Sequence, residues 1–316
     1  MIDTDRHTPG DSFVERNEIN PFVFAFLTLF ITFVLYQLVA GGLTYLIVGD
    51  TNITRENVGR IRLLTMLGQV FFILIPTLWF ARLLSSDWKN VFPWKLPRLP
   101  EMFFAVLGLV FLQQIFHIYL FLQDRIPLPE SLKRLIDPIR QMLEELYRTI
   151  VSAESVPELL FVLLIVAIVP AIVEELFFRG LIQSTFDRVL SPLWSAIIVG
   201  FIFGFYHLNP FAVIPLIGIG CYFGLLRYRT GSVALAIIAH FLNNALAVTL
   251  VYFHLDDGAM FPPRSGGEQP ESGALIVQLV LFVMLFAVSV YAFYRVTSRD
   301  VANASPPVDT GVVEGR

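Results

Sequence analysis

The sequence predicts an all-α protein, a polytopic bundle of about eight transmembrane helices with one amphipathic helical connection at the membrane surface. Three observations support this class. The chain has 316 residues, of which 56% are hydrophobic and only 15% are charged. Its mean hydropathy of +0.70 is above that of ordinary soluble domains. Long apolar runs follow one another, and one charged connection has hydrophobic residues at helical spacing.

The apolar runs are judged against the length of a membrane span. A helix rises about 1.5 Å per residue, so about 20 residues cross roughly 30 Å of hydrocarbon. Helices are expected because lipid offers no partners for open backbone groups. Proline-rich and polar stretches separate the runs. The candidate spans are 21–48, 62–84, 102–123, 158–188, 191–208, 210–226, 231–253 and 274–296.

The flanking regions complete the predicted organisation. The first run follows a polar segment at 1–20 and is too long for the core of a signal peptide, so we expect a retained helix. The membrane domain is expected at 21–296, followed by a disordered tail at 297–316. A net charge of −4, without a dense block of Lys and Arg, argues against nucleic-acid binding. The single cysteine, Cys221, excludes a disulfide within one chain.

The basic residues favour a cytoplasmic N-terminus, and we expect an integral protein of the plasma membrane of a bacterium. This bias holds if the amphipathic connection is left uncounted, and counting its five basic residues nearly removes it. No sequence feature indicates an oligomeric state. The residues predicted on the inside are Arg82, Lys89, Lys95, Arg98, Arg188, Arg227, Arg229, Arg295 and Arg299, against Arg55, Arg60, Arg62 and Arg264 outside.

The connection at 124–157 is too charged to cross a membrane, yet its apolar residues recur every three or four positions. This pattern predicts amphipathic helices at the membrane surface. The alternative is a solvated helical hairpin packed on the loops. The recurring residues are Leu132, Leu135, Ile136, Ile139, Met142, Leu143, Leu146 and Ile150.

The run VPAIVEELFFRGLI at 169–182 contains three charged residues. One charge at the centre of a bilayer costs on the order of 3 kcal/mol, so such residues usually face the bundle interior and have a function. Glu175 and Arg179 are four residues apart, with the acid first, which favours an ion pair on one helix face. Glu174 lies about 100° around the helix, and this lone carboxylate is the candidate base. A purely structural role is the alternative for the pair.

Three further positions carry polar side chains inside apolar runs. His207 lies four residues after Phe203, and His240 lies four residues before Asn244, with Asn243 offset from that face. Intramembrane histidines often bond only a neighbouring carbonyl group, which is the alternative for each alone. Taken together with Glu174, they suggest one convergent site.

These segments, in this order, resemble the CAAX protease and bacteriocin-processing family of intramembrane endopeptidases, which includes the type II CAAX prenyl endopeptidases. The resemblance covers about residues 158–250. Three ordered motifs carry it, each in an apolar run that is expected to be helical. They are Glu174, Glu175 and Arg179; Phe203 and His207; and His240 and Asn244.

The resemblance implies peptide hydrolysis by an activated water. Glu174 would activate this water with help from His207, while His240 and Asn244 would donate hydrogen bonds to the oxyanion. The substrate would be a prenylated CAAX-type protein or a membrane-associated peptide. The resemblance further implies that Phe203 packs beside His207.

Glu175 and Arg179 would hold the helix of Glu174 in place, and no cofactor is expected. A zinc ion held by the two histidines and a glutamate is the chemical alternative, although the chain has no His-Glu-x-x-His motif. The functional alternatives are a non-catalytic scaffold or bacteriocin immunity protein, and a transporter. A transporter would be expected to have two corresponding halves, and the sequence shows no such repeat.

Overall fold

The computed structural model describes residues 12–49, 53–255 and 272–304. The residues in these ranges are 82% helical, and none of them lies in a strand. The predicted all-α class is therefore confirmed. The helices are α1 Phe13–Arg16, α2 Pro21–Val48, α3 Val58–Leu84, α4 Trp88–Val91, α5 Leu99–Gln123, α6 Glu130–Val151, α7 Val156–Phe186, α8 Pro192–Tyr206, α9 Val213–Thr230, α10 Ala234–Tyr252 and α11 Ser272–Ala304.

Within the described ranges, six helices are long and apolar enough to cross a membrane: α2, α3, α5, α7, α10 and α11. The other two predicted spans correspond to α8, which is apolar but has only 15 residues, and α9, which carries two arginines in its last turn. The bundle of membrane helices is thus confirmed. The count of eight crossings stays a prediction.

Two π-helical segments interrupt α7, and they flank the double glutamate. The first, Leu163–Ile168, ends just before Pro170, and the second, Leu176–Ile182, begins just after Glu175. Proline has no N–H, so Pro170 cannot donate to the carbonyl of Val166 four residues earlier. Wider turns of this kind occur often at functional sites, because they change the direction in which side chains point.

The helices α8 and α9 form a closely packed hairpin, and glycines make the close approach possible. A Cβ atom on Gly200 would lie 2.4 Å from the backbone nitrogen of Cys221, and one on Gly220 would lie 2.8 Å from the carbonyl oxygen of Gly200. Small residues at such crossings let helix backbones touch in a membrane. This packing fixes the depth of α8 against α9.

We expect Gly200→Ala to lower the thermal stability of the protein in detergent, by about 1–3 kcal/mol in the free energy of unfolding. The added methyl group meets backbone atoms, which cannot move aside as a flexible side chain would. Gly42→Ala in α2 is the matched control, since a Cβ there has no atom within 4 Å. Equal melting temperatures for the two variants would contradict the tight packing of α8 on α9.

The amphipathic connection forms one helix, α6, and not a hairpin. Its C-terminal end is held by Arg62 of α3, which is 2% exposed. The Arg62 guanidinium donates to the carbonyl oxygens of Thr149, Ile150 and Ser152 and to Glu158 Oε1. The exposed apolar side chains of α6 agree with a helix at the membrane surface. They are Leu132, Leu135, Ile139, Met142 and Tyr147.

Both ends of the membrane domain lie at the same end of the bundle. Arg188, just after α7, bonds Glu15 of α1 at 3.1 Å and the carbonyl of Leu84 at 2.9 Å. Arg98 donates to the carbonyl of Val296 in α11 at 2.7 Å. These contacts bring together arginines that the sequence predicts on one side. Which side of the membrane this is stays a prediction.

The predicted boundaries of the flanking regions can be compared with the helices only in part. The helix α11 continues to Ala304, so residues 297–304 of the predicted tail are helical and not irregular. The helix continues past the end of the apolar run at 296, which the hydropathy pattern alone does not predict. Residues 1–11 and 305–316 lie outside the described residues.

Candidate active site

The shortness of α8 brings His207 to the depth of Glu174. The connection between Phe186 and Pro192 places the end of α7 and the start of α8 at the same end of the bundle. At 1.5 Å per residue, Glu174 is about 18 Å and His207 about 22 Å from that connection. The Nε2 atom of His207 lies 3.8 Å from Oε2 of Glu174. His207 follows the last residue of α8, so the length of this helix sets the position of the histidine beside Glu174.

The carboxylate of Glu174 is largely buried, with 14% of the side chain exposed. Its Oε1 atom accepts a hydrogen bond from Nε2 of Gln69 in α3 at 3.3 Å. Its Oε2 atom has no hydrogen-bond partner in the described part of the chain. Glu174 therefore has one anchored oxygen and one uncommitted oxygen, and the uncommitted oxygen is the one nearest to His207.

The backbone determines which ring nitrogen of His207 carries hydrogen. The Nδ1 atom lies 2.7 Å from the carbonyl oxygen of Phe203. A carbonyl oxygen only accepts, so Nδ1 donates, and Nε2 of the neutral ring has a lone pair. The rings of Phe203 and His207 lie 4.5 Å apart, centroid to centroid. The predicted packing of Phe203 beside His207 is present, and Nε2 is the ring nitrogen that faces Glu174.

Glu175 and Arg179 form the ion pair that their spacing predicts, and both side chains are fully buried. Arg179 Nη1 lies 2.8 Å from Glu175 Oε1, and Nη2 donates to the carbonyl of Gly220 in α9 at 2.7 Å. The same Glu175 oxygen lies 2.8 Å from Nδ1 of His240 in α10. The pair thus joins three helices. The contact with His240 is not predicted by the sequence, because the two residues are far apart in the chain.

Aromatic rings surround the buried guanidinium of Arg179. Its central carbon lies 4.7 Å from the ring centroid of Phe203 and 5.4 Å from that of Phe223. These contacts compensate part of the cost of burying the charge. The ring of His240 stacks on Phe223 with a centroid distance of 5.2 Å. Phe203 and Phe223 therefore hold both histidines and the arginine in fixed positions.

Asn244 has two hydrogen-bond partners, one backbone carbonyl and one side chain. Its Nδ2 atom donates to the carbonyl oxygen of Val166 at 3.0 Å, and its Oδ1 accepts from Nδ2 of Asn243 at 3.0 Å. The Val166 carbonyl is the one that Pro170 cannot bond. One carboxamide hydrogen of Asn244 is thus used for structure, and a carboxamide has two.

All four residues predicted to be catalytic line one cavity of about 250 Å³. Glu175 and Arg179 lie behind its wall, as expected of supporting residues. Sequence reasoning missed Tyr147 of the surface helix α6 and Asn243 as wall residues, and it missed Gln69 as the partner of Glu174. The cavity is lined by Tyr147, Val166, Glu174, Phe203, His207, Leu216, Ile219, His240, Asn243 and Asn244.

The zinc alternative requires three protein ligands that meet at one ion. Across the residues with described positions, no group of three or more His, Cys, Asp and Glu side chains could share a metal ion. The carboxylates are divided between the histidines, since Glu174 faces His207 and Glu175 holds Nδ1 of His240.

A membrane-type helical bundle with Glu174, two histidines and an asparagine around one cavity defines the class: an integral membrane protein with a polar cavity between its helices. Residues 156–246, which run from α7 into α10, match the family described as Type II CAAX prenyl endopeptidase Rce1-like. This is a protease family, and the match confirms the resemblance to the CAAX protease and bacteriocin-processing family. All seven motif residues lie inside the matched segment. Comparisons with curated proteins and with solved structures find no match.

Proposed function

We propose that the protein is an intramembrane endopeptidase in which Glu174 activates a water molecule to hydrolyse a peptide bond. The observation that carries this proposal is the uncommitted Oε2 atom of Glu174, which lies 3.8 Å from the Nε2 atom of His207 beside the cavity. The family match supports the reaction class.

The separation of the two atoms suits a shared water. A distance of 3.8 Å is too long for a direct hydrogen bond, and a water can donate one hydrogen to each atom. Glu174 takes a proton from this water as the oxygen attacks the carbonyl carbon of the peptide. The same proton then passes to the departing amine nitrogen, and the C–N bond breaks. General base catalysis of this kind contributes about 10²–10⁴-fold to the rate.

His240 and Asn244 are suited to receive the negative charge that develops on the peptide oxygen. Both line the cavity, on the helix α10 that faces α7. Since Nδ1 of His240 donates to Glu175, its Nε2 atom donates to an oxyanion only when the ring carries two protons. Asn244 contributes the hydrogen that Val166 leaves unused. Preorganised donors at a buried oxyanion are usually the largest single contribution to such catalysis.

Glu175 and Arg179 act as positioning residues. Their contacts with Gly220 and His240 hold α7, α9 and α10 in register, so that the base and the oxyanion donors face the same cavity. Neither residue lines the cavity, and no chemical step is assigned to them.

The proposed substrate is a prenylated CAAX-type protein or another peptide that lies at the membrane surface. The family description supports the first, and the surface helix α6, whose Tyr147 lines the cavity, supports entry from the membrane surface. We further propose that the protein resides in the plasma membrane of a bacterium with its N-terminus in the cytoplasm. The cluster of arginines near both chain ends supports this orientation.

The proposal is tested by incubating the purified protein in detergent with matched peptides, each with and without a farnesyl or geranylgeranyl group on a cysteine near the C-terminus. We expect a single cleavage site in at least one peptide, detected by mass spectrometry. His207→Ala should cleave it far more slowly. Absence of cleavage throughout the panel, together with tight binding of a peptide, would instead favour the scaffold or immunity function.

Cleavage is expected to survive removal of divalent metal ions. The same assay, run after dialysis against a strong chelator and paired with elemental analysis, measures this directly. Stoichiometric zinc that is lost together with activity, and restored together with it, would replace the glutamate mechanism with the zinc alternative.

A further inference from the structure

Three side-chain carboxamides form a directed chain of hydrogen bonds that ends in the cavity. Gln113 Nε2 in α5 donates to Oδ1 of Asn243 in α10. Asn243 Nδ2 donates to Oδ1 of Asn244 at 3.0 Å, and Asn244 Nδ2 donates to the carbonyl of Val166 in α7 at 3.0 Å. Each carboxamide accepts through its oxygen and donates through its nitrogen. The chain therefore runs in one direction, from α5 through α10 to α7.

This direction determines which end of the Asn244 carboxamide faces each neighbour. If the group rotated by 180°, its oxygen would meet the carbonyl oxygen of Val166 and its nitrogen would meet the nitrogen of Asn243. Both contacts would be repulsive. A lost or reversed bond costs about 1–3 kcal/mol for each group that is left unsatisfied away from water. Asn243 and Val166 thus hold Asn244 from its two sides.

The last acceptor in this chain of hydrogen bonds is the carbonyl of Val166, and the sequence explains why it is available. Pro170 has no N–H to donate to Val166, and so this carbonyl can accept from a neighbouring helix. A carbonyl group cannot donate, which means that only the nitrogen of Asn244 fits against it. Val166 and Asn244 both line the cavity, so the amide nitrogen, which bonds Val166, lies between two residues of the cavity wall.

We propose that Gln113 and Asn243 are positioning residues, which fix the rotation of the Asn244 carboxamide so that N–H, and not C=O, is presented to the oxyanion. The inference rests on the proposed peptidase function and deepens it. Asn243 acts through Asn244 and has no chemical step of its own. A wrongly rotated Asn244 would set an oxygen against the developing negative charge.

The test is a double-mutant cycle on the full-length protein with a peptide that the parent cleaves. Asn243→Asp preserves shape but replaces the donor nitrogen with oxygen, and Gln113→Met removes the first donor. We expect each to lower kcat by about 10-fold, with KM changed less than about twofold, because the oxyanion exists only in the transition state. In the Asn244→Ala background, Asn243→Asp should have almost no further effect on kcat.

Gln183→Met is the matched control, since Gln183 is a buried helix residue that bonds the carbonyl of Gly224 outside the cavity. Its kcat should equal that of the parent. If the falls in kcat for Asn243→Asp and Asn244→Ala were independent, they would multiply in the double variant. That result would overturn the proposed positioning role of Asn243. If Glu174→Gln retained full cleavage, the proposed function would fail instead, whatever the cycle gave.

NMR of the Asn244 side-chain amide needs no substrate, so it also tests variants with little activity. With ¹⁵N-labelled asparagine, the side-chain amide signals of Asn244 are assigned by their loss in Asn244→Ala. We expect Gln113→Met to shift these signals and to accelerate their hydrogen exchange, while Gln183→Met leaves them unchanged. Unaltered Asn244 signals in Gln113→Met would overturn the proposal even for an inactive preparation.

Discussion

Arg179→Ala should yield little folded protein. The guanidinium is fully buried, and its removal leaves the Glu175 carboxylate with one fewer partner and the Gly220 carbonyl without its side-chain donor. Breaking a buried ion pair by removing one partner costs about 3–5 kcal/mol. This is a large part of the 5–15 kcal/mol that stabilises a typical protein. Monodisperse yield after gel filtration, and the melting temperature, measure the loss.

Two alanine variants make this result specific to Arg179. Arg60 is an exposed arginine near the start of α3, and Arg60→Ala should leave the yield unchanged. Glu174→Ala removes a neighbouring charge on the same helix and should lower the yield less than Arg179→Ala does. A greater loss for Glu174→Ala would contradict the division between a supporting pair and a chemical residue.

Glu174→Gln should abolish most peptide cleavage while the protein still folds. Glutamine has nearly the same shape, but it cannot accept the proton of a water. We expect kcat to fall by about 10²–10⁴-fold. The substituted side chain keeps an oxygen for Gln69, so the melting temperature should change little. Initial rates over a range of peptide concentrations separate kcat from KM.

Glu158→Gln provides the matched control for this loss. Glu158 is also a glutamate of α7, but it bonds Arg62 near the start of the helix and does not line the cavity. Its kcat should stay within about twofold of the parent value, as expected for a residue remote from the chemistry. Equal cleavage by Glu174→Gln and the parent would remove Glu174 from the role of base.

The sequence was sufficient to locate most helices and the polar residues that face inward. Hydropathy predicts the bounds of α2 without error and those of α3, α5 and α7 within a few residues. The cause is physical, since a span must be apolar along its whole length. The spacing of Glu175 and Arg179 likewise predicts their ion pair, because four residues are about one helical turn.

Relations between helices could not be predicted in the same way. The meeting of Glu174 with His207 depends on where α8 ends relative to α7. This follows from the glycine contacts of α8 with α9 and not from its hydropathy. The bond from His240 to Glu175 depends on the rotation of α10. Pro170 is a partial exception, since the sequence shows that it cannot donate to the carbonyl of Val166. The sequence does not identify Asn244 as the donor that replaces it.

The central claim is that Glu174 removes a proton from a water that attacks the peptide directly. A single-turnover reaction in H₂¹⁸O, with enzyme in excess, tests it most directly. The account predicts one ¹⁸O atom in the new carboxylate of the product and none in the Glu174 side chain. Unlabelled product together with ¹⁸O in Glu174 would mean that this carboxylate attacks the peptide itself, which would contradict the account.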